Sequence, residues 1–231
     1  MASFQAQLKG IDRLTELAYM VRMAKTSERR AAILAAAHTC FWRNGIRRTA
    51  IEDVAREAGV AKGTVYLYFA SKEELFSTLA SELCDASLNA VHAALAARGS
   101  LTRRLAGALD AKIGHFHRLL AGTPHAAELL ESTAAMAERS FKELDAAFHH
   151  AIDRALADAK IGGDARARAE LRDVILAAGY GTARQAELRN ETSPEVYRAR
   201  LQLHLDLLLG SAERARAAKP RAARARSRAA R

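Results

Sequence analysis

Apolar positions recur with a helical period along most of the chain. The first strong pattern predicts a helix over 27–44, whose buried face carries residues three or four positions apart: Ile33, Leu34, Ala37, Cys40 and Phe41. Asn44-Gly45 ends the pattern, because glycine readily adopts the positive φ of a helix C-terminus. Upstream, IDRLTELAYMVRM is amphipathic and compatible with a short helix of its own.

Two shorter helices follow, joined by a tight turn. Thr49-Ala50-Ile51-Glu52 has the residues of a capping box that opens the second helix, and Gly59 ends it. A third helix is predicted over 61–68. The two helices face each other through four apolar side chains: Ile51, Val54, Val65 and Phe69. This layout is a helix-turn-helix, and Ser71-Lys72-Glu73-Glu74 is a second capping box that begins a long fourth helix.

The exposed side of the third helix carries the candidate chemistry. Lys62 and Tyr66 are four residues apart and share a face. Gly63 and Thr64 are small, which lets the helix approach a groove wall. The first residues of such a helix reach base edges in DNA, where Lys62 suits guanine and Thr64 suits thymine or a polar edge. Tyrosines at this spacing also occur at the edge of an amphipathic core, which is the structural alternative.

Residues 27–76 resemble the DNA-binding domain of the TetR family of transcriptional regulators. The resemblance is carried by AAILAAAHTCFWRNGIRRTAIEDVAREAGVAKGTVYLYFASKEELF, above all by its block A-G-V-x-x-G-T-x-Y-x-Y-F-x-x-K-E-x-L. It implies a homodimer with two recognition helices on a palindromic, double-stranded operator. It also implies an all-helical C-terminal domain that dimerises and usually holds a small-molecule effector.

The resemblance also implies which residues contact DNA. Together with the basic connection before the second helix, the predicted contacts are Arg47, Arg48, Thr49, Lys62, Gly63, Thr64, Tyr66, Tyr68 and Lys72. Ala50 departs from the family pattern, since many members carry Ser or Thr there, and Thr49 is expected to substitute. Ala61 stands where Ser often caps the recognition helix, so this helix is expected to be less preformed without DNA.

The remainder of the chain, to Gly210, reads as one helix after another. Helices are predicted over 72–97, 101–121, 124–138, 140–160, 165–189 and 194–209, separated by Gly-, Ser- and Pro-containing breaks. Thr192-Ser193-Pro194 is a clear helix start. The predicted fold is therefore all-α, with an N-terminal three-helix DNA-binding domain and a larger helical ligand-binding and dimerisation domain.

The last two predicted helices are the candidates for dimerisation. Leu171, Val174, Ile175 and Ala178 form a stripe on one, and six leucines between 201 and 209 make the other apolar on most sides. Such a helix must be buried inside the domain or against a second copy, and the resemblance favours a four-helix interface. Gly179-Tyr180-Gly181 marks either a close helix contact or a local kink.

The interior helices offer a candidate effector pocket. Its predicted lining combines apolar residues with a few polar ones: His115, Phe116, Leu119, Met136, Phe148, His149 and Tyr180. His115-x-His117 and His149-His150 suggest a metal site, but these spacings do not put two imidazoles on one helical face, and no carboxylate or thiol completes a familiar set. No metal or cofactor is expected.

Charge and composition divide the chain further. The net charge is +10, of which the tail 211–231 contributes +7 through eight Lys/Arg and one Glu. Four segments are predicted: an N-terminal extension (1–26), the DNA-binding domain (27–71), the helical domain (72–210) and a mobile basic tail (211–231). The sequence has no apolar run of membrane-spanning length and no signal-peptide core, so a cytoplasmic protein is expected. Cys40 and Cys84 then read as small core residues rather than a redox pair.

These features predict a ligand-responsive, sequence-specific DNA-binding regulator, more readily a repressor than an activator. No catalytic motif of a hydrolase, P-loop protein, zinc protease or dinucleotide-binding enzyme is present, so no enzyme is expected. The alternative is a non-specific DNA-coating protein driven by the arginine-rich tail, which would bind any duplex in a salt-dependent manner.

Overall fold

The computed structural model describes residues 13–210, and their side chains from residue 22 onward. The predictions for the extension up to residue 12 and for the basic tail 211–231 therefore lie outside the described residues. The described chain is helical throughout, as the sequence predicts, and divides into two compact units between Leu79 and Ala80. Among these residues, no helix combines the length and apolar character needed to cross a bilayer.

The first unit contains three helices and the start of a fourth. They are α1 (Arg13–Asn44), α2 (Ile51–Glu57), α3 (Lys62–Tyr68) and α4 (Lys72–Ala96). The prediction that the first helix begins at Ser27 is wrong, because α1 continues unbroken from Arg13. No glycine or proline interrupts 13–44 to end a helix earlier.

Apolar side chains predicted from the periodicity form the core of this unit. Ile33, Phe41, Val54 and Val65 are fully buried. Phe41 also meets Phe76 of α4 edge to face, with ring centroids 5.8 Å apart. The face-to-face packing of α2 and α3 that the sequence predicts is therefore confirmed, and it fixes the direction in which the other side of α3 points.

The turn between α2 and α3 depends on Gly59. Its φ of +67° lies in the left-handed region that favours glycine. The amide of Gly59 donates to Arg56 O and that of Val60 to Ala55 O, at 3.2 and 2.9 Å. These two bonds form a Schellman motif, which satisfies the last carbonyls of α2 and reverses the chain sharply.

The capping of α2 differs from the prediction. Its N-cap is Ala50, and the carboxylate of Asp53 accepts from the Ala50 amide at 3.1 Å. Thr49 is buried instead, and its hydroxyl donates to Gly45 O at 2.6 Å, with Cys40 O at 3.2 Å. The capping box assigned to Thr49 and Glu52 was thus wrong by one residue, because Thr49 satisfies the interior carbonyls that end α1.

The second unit continues from α4 with further helices. They are α5 (Leu101–Leu109), α6 (His115–Ala121), α7 (Ala126–Met136), α8 (Glu138–Asp158), α9 (Ala165–Leu188) and α10 (194–210). The predicted helix start at Thr192-Ser193-Pro194 is confirmed, since Ser193 Oγ accepts from the Val196 amide at 3.3 Å. A core of leucine, isoleucine, alanine and phenylalanine side chains from α5, α8, α9 and α10 holds the unit together.

A π-helical turn, Asp110–Gly114, interrupts the predicted helix 101–121 between α5 and α6. Asp110 is buried there, and its carboxylate pairs with Arg118 at 2.7 Å and Arg198 at 3.1 Å. Gly114 lies against Asp110 and the Tyr197 ring so closely that a Cβ would overlap Asp110 Oδ1. Single π turns inside α-helices are frequent at functional sites, and this one points a lysine, Lys112, into the interior.

The packing of α9 against α5 and the π-helical turn explains the first glycine of Gly179-Tyr180-Gly181. A Cβ on Gly179 would lie 3.0 Å from Ile113 and Leu109. The carbonyl of Gly179 accepts from the Tyr197 hydroxyl at 3.1 Å. Close approach, rather than a kink, is therefore the reason for glycine at 179, whereas a Cβ on Gly181 would meet open space.

Candidate functional site

The outer face of α3 presents the residues predicted to read DNA. Lys62, Gly63 and Tyr66 are exposed and Thr64 is partly exposed, whereas Val65 is fully buried toward α2. The N-cap of α3 is Ala61, which makes no side-chain capping bond, as the sequence indicates. The geometry therefore groups a cation, a small backbone-exposing residue and two hydroxyls on one side of a short helix.

Lys62 is engaged by a carboxylate of the neighbouring helix. Its Nζ lies 2.5 Å from Glu52 Oε1 and 5.8 Å from the centroid of the Tyr66 ring. The hydrogen bond to Glu52 raises the pKa of Lys62, and the same bond lowers the pKa of Glu52. Because both side chains are exposed to solvent, this pair can open at small cost and release Lys62 to another anion.

Lys72 has a different environment from the one predicted. Its ammonium donates to Ile46 O at 2.8 Å and to Thr49 O at 3.1 Å, in a partly buried position. It therefore ties the connection between α1 and α2 to the first turn of α4. Two of the three N–H donors of the ammonium are used in this way, so its main role in this structure is to hold the loop.

The remaining predicted contacts lie at the edges of this face. Arg47 and Arg48 are exposed in the loop before α2, and Tyr68 is partly exposed at the end of α3. Thr49 is buried, so its hydroxyl is not offered to DNA. A shallow hollow of about 350 Å³ separates the first turns of α2 and α4, with Tyr66 at its edge. Backbone N–H groups at two helix starts and a phenolic hydroxyl are donors of the kind that bind a phosphate.

Sequence reasoning did not single out Leu67, which is also exposed on α3. It is 83% exposed, the most exposed large apolar side chain of the described residues. Leu67 lies outside the buried pattern of Val65 and Phe69, and this was the signal in the sequence that it is exposed. An apolar residue on the polar face of a recognition helix suits a thymine methyl group.

A half-buried cavity of about 470 Å³ lies in the second unit. Its lining comes from the π-helical turn and from α6, α7, α8 and α9. Of the predicted pocket residues, Phe116 and Tyr180 line it. Phe148 is fully buried beside it, with its ring centroid 5.3 Å from Lys112 Nζ. His115 is exposed, and Leu119, Met136 and His149 are partly buried and do not line this cavity.

Lys112 is the cavity residue that sequence reasoning missed. Its Nζ lies 2.6 Å from Asp145 Oδ1 and donates to the Tyr180 hydroxyl at 3.2 Å. Burial opposes the charged form, but the hydrogen bonds to Asp145 and Tyr180 outweigh it, so the pKa of Lys112 is raised. A charge one helical turn before Phe116, within an apolar stripe, was the signal that could have revealed it.

The histidines do not converge with other ligand types. Within residues 22–210, no three His, Cys, Asp or Glu side chains come close enough together to share a metal ion. His117 lines the cavity beside Glu187, whereas His150 is exposed.

Comparison with known proteins agrees with the geometry of the first unit. The model of bacterial regulatory proteins of the tetR family matches residues 33–79. The uncharacterised HTH-type transcriptional regulator YfiR of Bacillus subtilis is 44% identical over 61 residues, which make up 26% of this chain and 30% of YfiR. The chain spans about a third of the length of the first curated relatives that it matches.

Solved structures extend the likeness to the second unit. A Rhodococcus sp. protein assigned to the TetR family superposes with a TM-score of 0.57 and 25% identity, covering 79% of this chain and 99% of that one. FadR of Bacillus subtilis, solved in complex with stearoyl-CoA, superposes with a TM-score of 0.53 over 78% of this chain and 97% of its own, at 22% identity. This second likeness shows the fold alone. The helix-turn-helix, the family model over residues 33–79 and the shared helical fold make the chain similar to the tetR family of bacterial regulatory proteins.

Proposed function

We propose that the protein is a sequence-specific DNA-binding regulator of transcription that acts as a homodimer in the cytoplasm. The observation that carries the proposal is the outer face of α3, where Lys62, Gly63, Thr64 and Tyr66 lie together on a helix that packs on α2 through Val65. A short helix with small and donor-bearing residues on one side suits the major groove.

Each residue of this face has a distinct expected role. Lys62 leaves Glu52 and donates to guanine, while Gly63 allows the backbone to approach the groove wall. Leu67 packs on a thymine methyl group. Tyr66, with the helix starts beside it, contacts the phosphates and sets the orientation of α3 without reading sequence.

The apolar exposed face of α9 and α10 supports the homodimer. Val174 and Leu188 of α9, and Leu203 and Leu207 of α10, are large apolar side chains that are each at least 47% exposed. On α9 they flank Gly181, where the surface is open. Exposed large apolar side chains on two neighbouring helices suit an interaction site, and a second copy of the same surface satisfies two-fold symmetry. A dimer also supplies the two α3 helices that a palindrome needs, about 34 Å apart or a multiple of that.

Regulation by a small molecule is the second part of the proposal. The cavity beside Lys112 has the volume of a ligand site, and the related fold of FadR was solved with stearoyl-CoA. A ligand that binds one spacing of the dimer better than another shifts the population away from the operator-binding form. Because the bound dimer occupies promoter DNA, repression relieved by ligand is the expected sense.

Selection of duplexes from a random DNA pool tests the proposal. The full chain is compared with a chain ending at residue 210, both at physiological salt. We expect the same palindrome from both. Recovery of no motif, with binding lost on removal of 211–231, would instead favour the DNA-coating alternative. The tail lies outside the described residues, and nothing in 13–210 favours that alternative.

A further inference from the structure

We propose that the cavity beside Lys112 binds an apolar monocarboxylic acid, whose carboxylate takes the Lys112 ammonium in competition with Asp145. The regulatory meaning of this site rests on the proposed function, but the binding itself does not. The argument depends on the shape of the cavity, on the unequal burial of the Lys112–Asp145 pair, and on an unpartnered histidine nitrogen.

The cavity has apolar walls and a polar floor. Its volume of about 470 Å³ falls in the range of small-molecule sites. The walls consist of apolar side chains from four helical elements: Ile113, Phe116, Leu120, Leu130, Phe141 and Leu144. Leu130 is 54% exposed, so one side of the cavity opens to solvent and exposes apolar surface to water. A ligand with a hydrocarbon or aromatic body would cover that surface.

Lys112 gives the cavity a fixed positive charge. Its side chain is only 10% exposed, whereas that of its partner Asp145 is 52% exposed. A buried cation without a partner is strongly disfavoured, but a half-exposed carboxylate returns to water at small cost. The pair is therefore asymmetric, because Asp145 can be displaced and Lys112 cannot leave. An incoming carboxylate would replace one anion by another without leaving the ammonium unpaired.

The hydrogen-bonding capacity of Lys112 also supports the exchange of Asp145 for a ligand carboxylate. Asp145 and Tyr180 account for two of its three N–H donors. The ammonium also lies 5.3 Å from the centroid of the Phe148 ring and 5.7 Å from that of Tyr180, so aromatic faces stabilise it. The remaining N–H can bind a ligand oxygen before Asp145 leaves. The ammonium therefore keeps an anionic partner throughout the exchange of carboxylates.

The groups near α9 favour a ligand with a single negative charge. Glu187 lines the cavity and pairs with Arg184, while His117 Nε2 is 4.0 Å from Glu187 Oε2. Within the described part of the chain, this buried nitrogen has no hydrogen-bond partner, so it can serve a hydroxyl or carbonyl group on the ligand. A second carboxylate or a phosphate here would have to displace Glu187 from Arg184, which also lines the cavity, whereas a single carboxylate displaces only Asp145.

Equilibrium binding of two probes that differ only in the head group tests the inference. Decanoate and decan-1-ol are titrated, below their aggregation limits, into the full chain without DNA. We expect decanoate to bind at least about tenfold more tightly than the alcohol, because only the carboxylate forms a charge-assisted bond with Lys112. Equal affinities, or no binding of either probe, would overturn the inference.

Three substitutions assign the effect to the ammonium. Lys112→Met should abolish the preference for decanoate. Lys142→Met, an exposed control on the helix that carries Asp145, should preserve the preference. Asp145→Asn should tighten decanoate binding by removing the competing anion, and this variant keeps the test decisive if Lys112→Met fails to fold. A preference that survives Lys112→Met, or binding that weakens in Asp145→Asn, contradicts the proposal.

Loss of the operator complex is measured separately. Binding of decanoate without release of the selected duplex would overturn the effector role in the proposed function and leave the carboxylate site standing. Sequence-specific DNA binding in a protein that ignores decanoate would overturn the carboxylate site and leave the DNA-reading function standing.

Discussion

Glu52 Oε1 lies 2.5 Å from Lys62 Nζ, so the first basic side chain of α3 is held by the first turn of α2. The same cation is the strongest candidate for base contact. If Lys62 contacts a guanine edge, as we propose, DNA binding exchanges the Glu52 carboxylate for that edge.

Glu52→Gln should strengthen binding to the selected duplex several-fold. The substitution removes both the competitor for Lys62 and a negative charge that repels phosphates. Fluorescence anisotropy over a range of salt concentrations would measure the change. The matched control is Glu57→Gln, which removes the same charge from α2 but breaks the ion pair with Arg43 rather than the one with Lys62. If both variants gained equally, the gain would come from net charge alone.

Gly63→Ala should separate stability from DNA binding. A Cβ at this helical position meets open space, so alanine should stabilise the folded state by about 0.5–1 kcal/mol through its higher helix propensity. DNA affinity should fall at least several-fold, because the methyl group holds α3 away from the groove wall. Urea unfolding and anisotropy on the same sample would test both halves. Unchanged affinity would mean that Gly63 does not face the DNA.

Lys72→Met distinguishes a structural role from a phosphate contact. Losing the bonds to Ile46 O and Thr49 O should lower the free energy of unfolding by about 1–2 kcal/mol. The slope of log affinity against log salt should stay the same. A slope reduced by about one unit would instead identify Lys72 as a direct phosphate contact.

Cys84 should be unreactive in the native protein. Burial raises its pKa from the ordinary 9.0 to about 11, so its thiolate fraction near pH 8 is about a hundredfold below that of a free thiol. Alkylation followed by mass analysis of the Cys84 peptide should show modification only after denaturation. The unfolded thiol ionises above pH 9.0 while the folded one stays protonated, so unfolding should become easier between pH 9.0 and about 11. Rapid native labelling would contradict the buried position.

Leu203→Glu should convert the protein into a monomer. Leu203 is 58% exposed on the apolar face of α10, and a carboxylate there would be buried without a partner in a two-fold interface. Sedimentation velocity would report the mass, and circular dichroism would report whether the helices persist. Leu67→Glu, also at an exposed leucine but outside that face, is the control and should sediment as the parent protein does.

The sequence predicts the helices well and their polar contacts poorly. Val54, Val65 and Phe69 follow a periodicity that burial explains directly, and Ser193-Pro194 starts α10 through local capping. Thr49 and Lys72 could not be placed in the same way. Their partners are backbone carbonyls up to 26 residues away. Every residue has such a carbonyl, so residue types do not indicate which one is the acceptor.

The polar contacts of the cavity were even harder to predict from the sequence. Phe116 and Tyr180 were within reach of pattern reasoning because aromatic residues on interior helices tend to line pockets. Lys112 was not, because its orientation depends on the π-helical turn and its charge is balanced by Asp145 from another helix. A single charged residue in an apolar stripe is visible in sequence, but its partner is fixed only by tertiary packing.

The π-helical turn at Asp110–Gly114 behaves as a one-residue insertion in an otherwise regular helix. If the same residues formed a regular α-helix instead, everything after this turn would be rotated by about 100° relative to α5. The segment would still be helical, and its composition would be the same. Yet the side chains that follow would present a different face to α8 and α9. The π-helical turn therefore sets the helical register, and this register determines which side chains line the cavity.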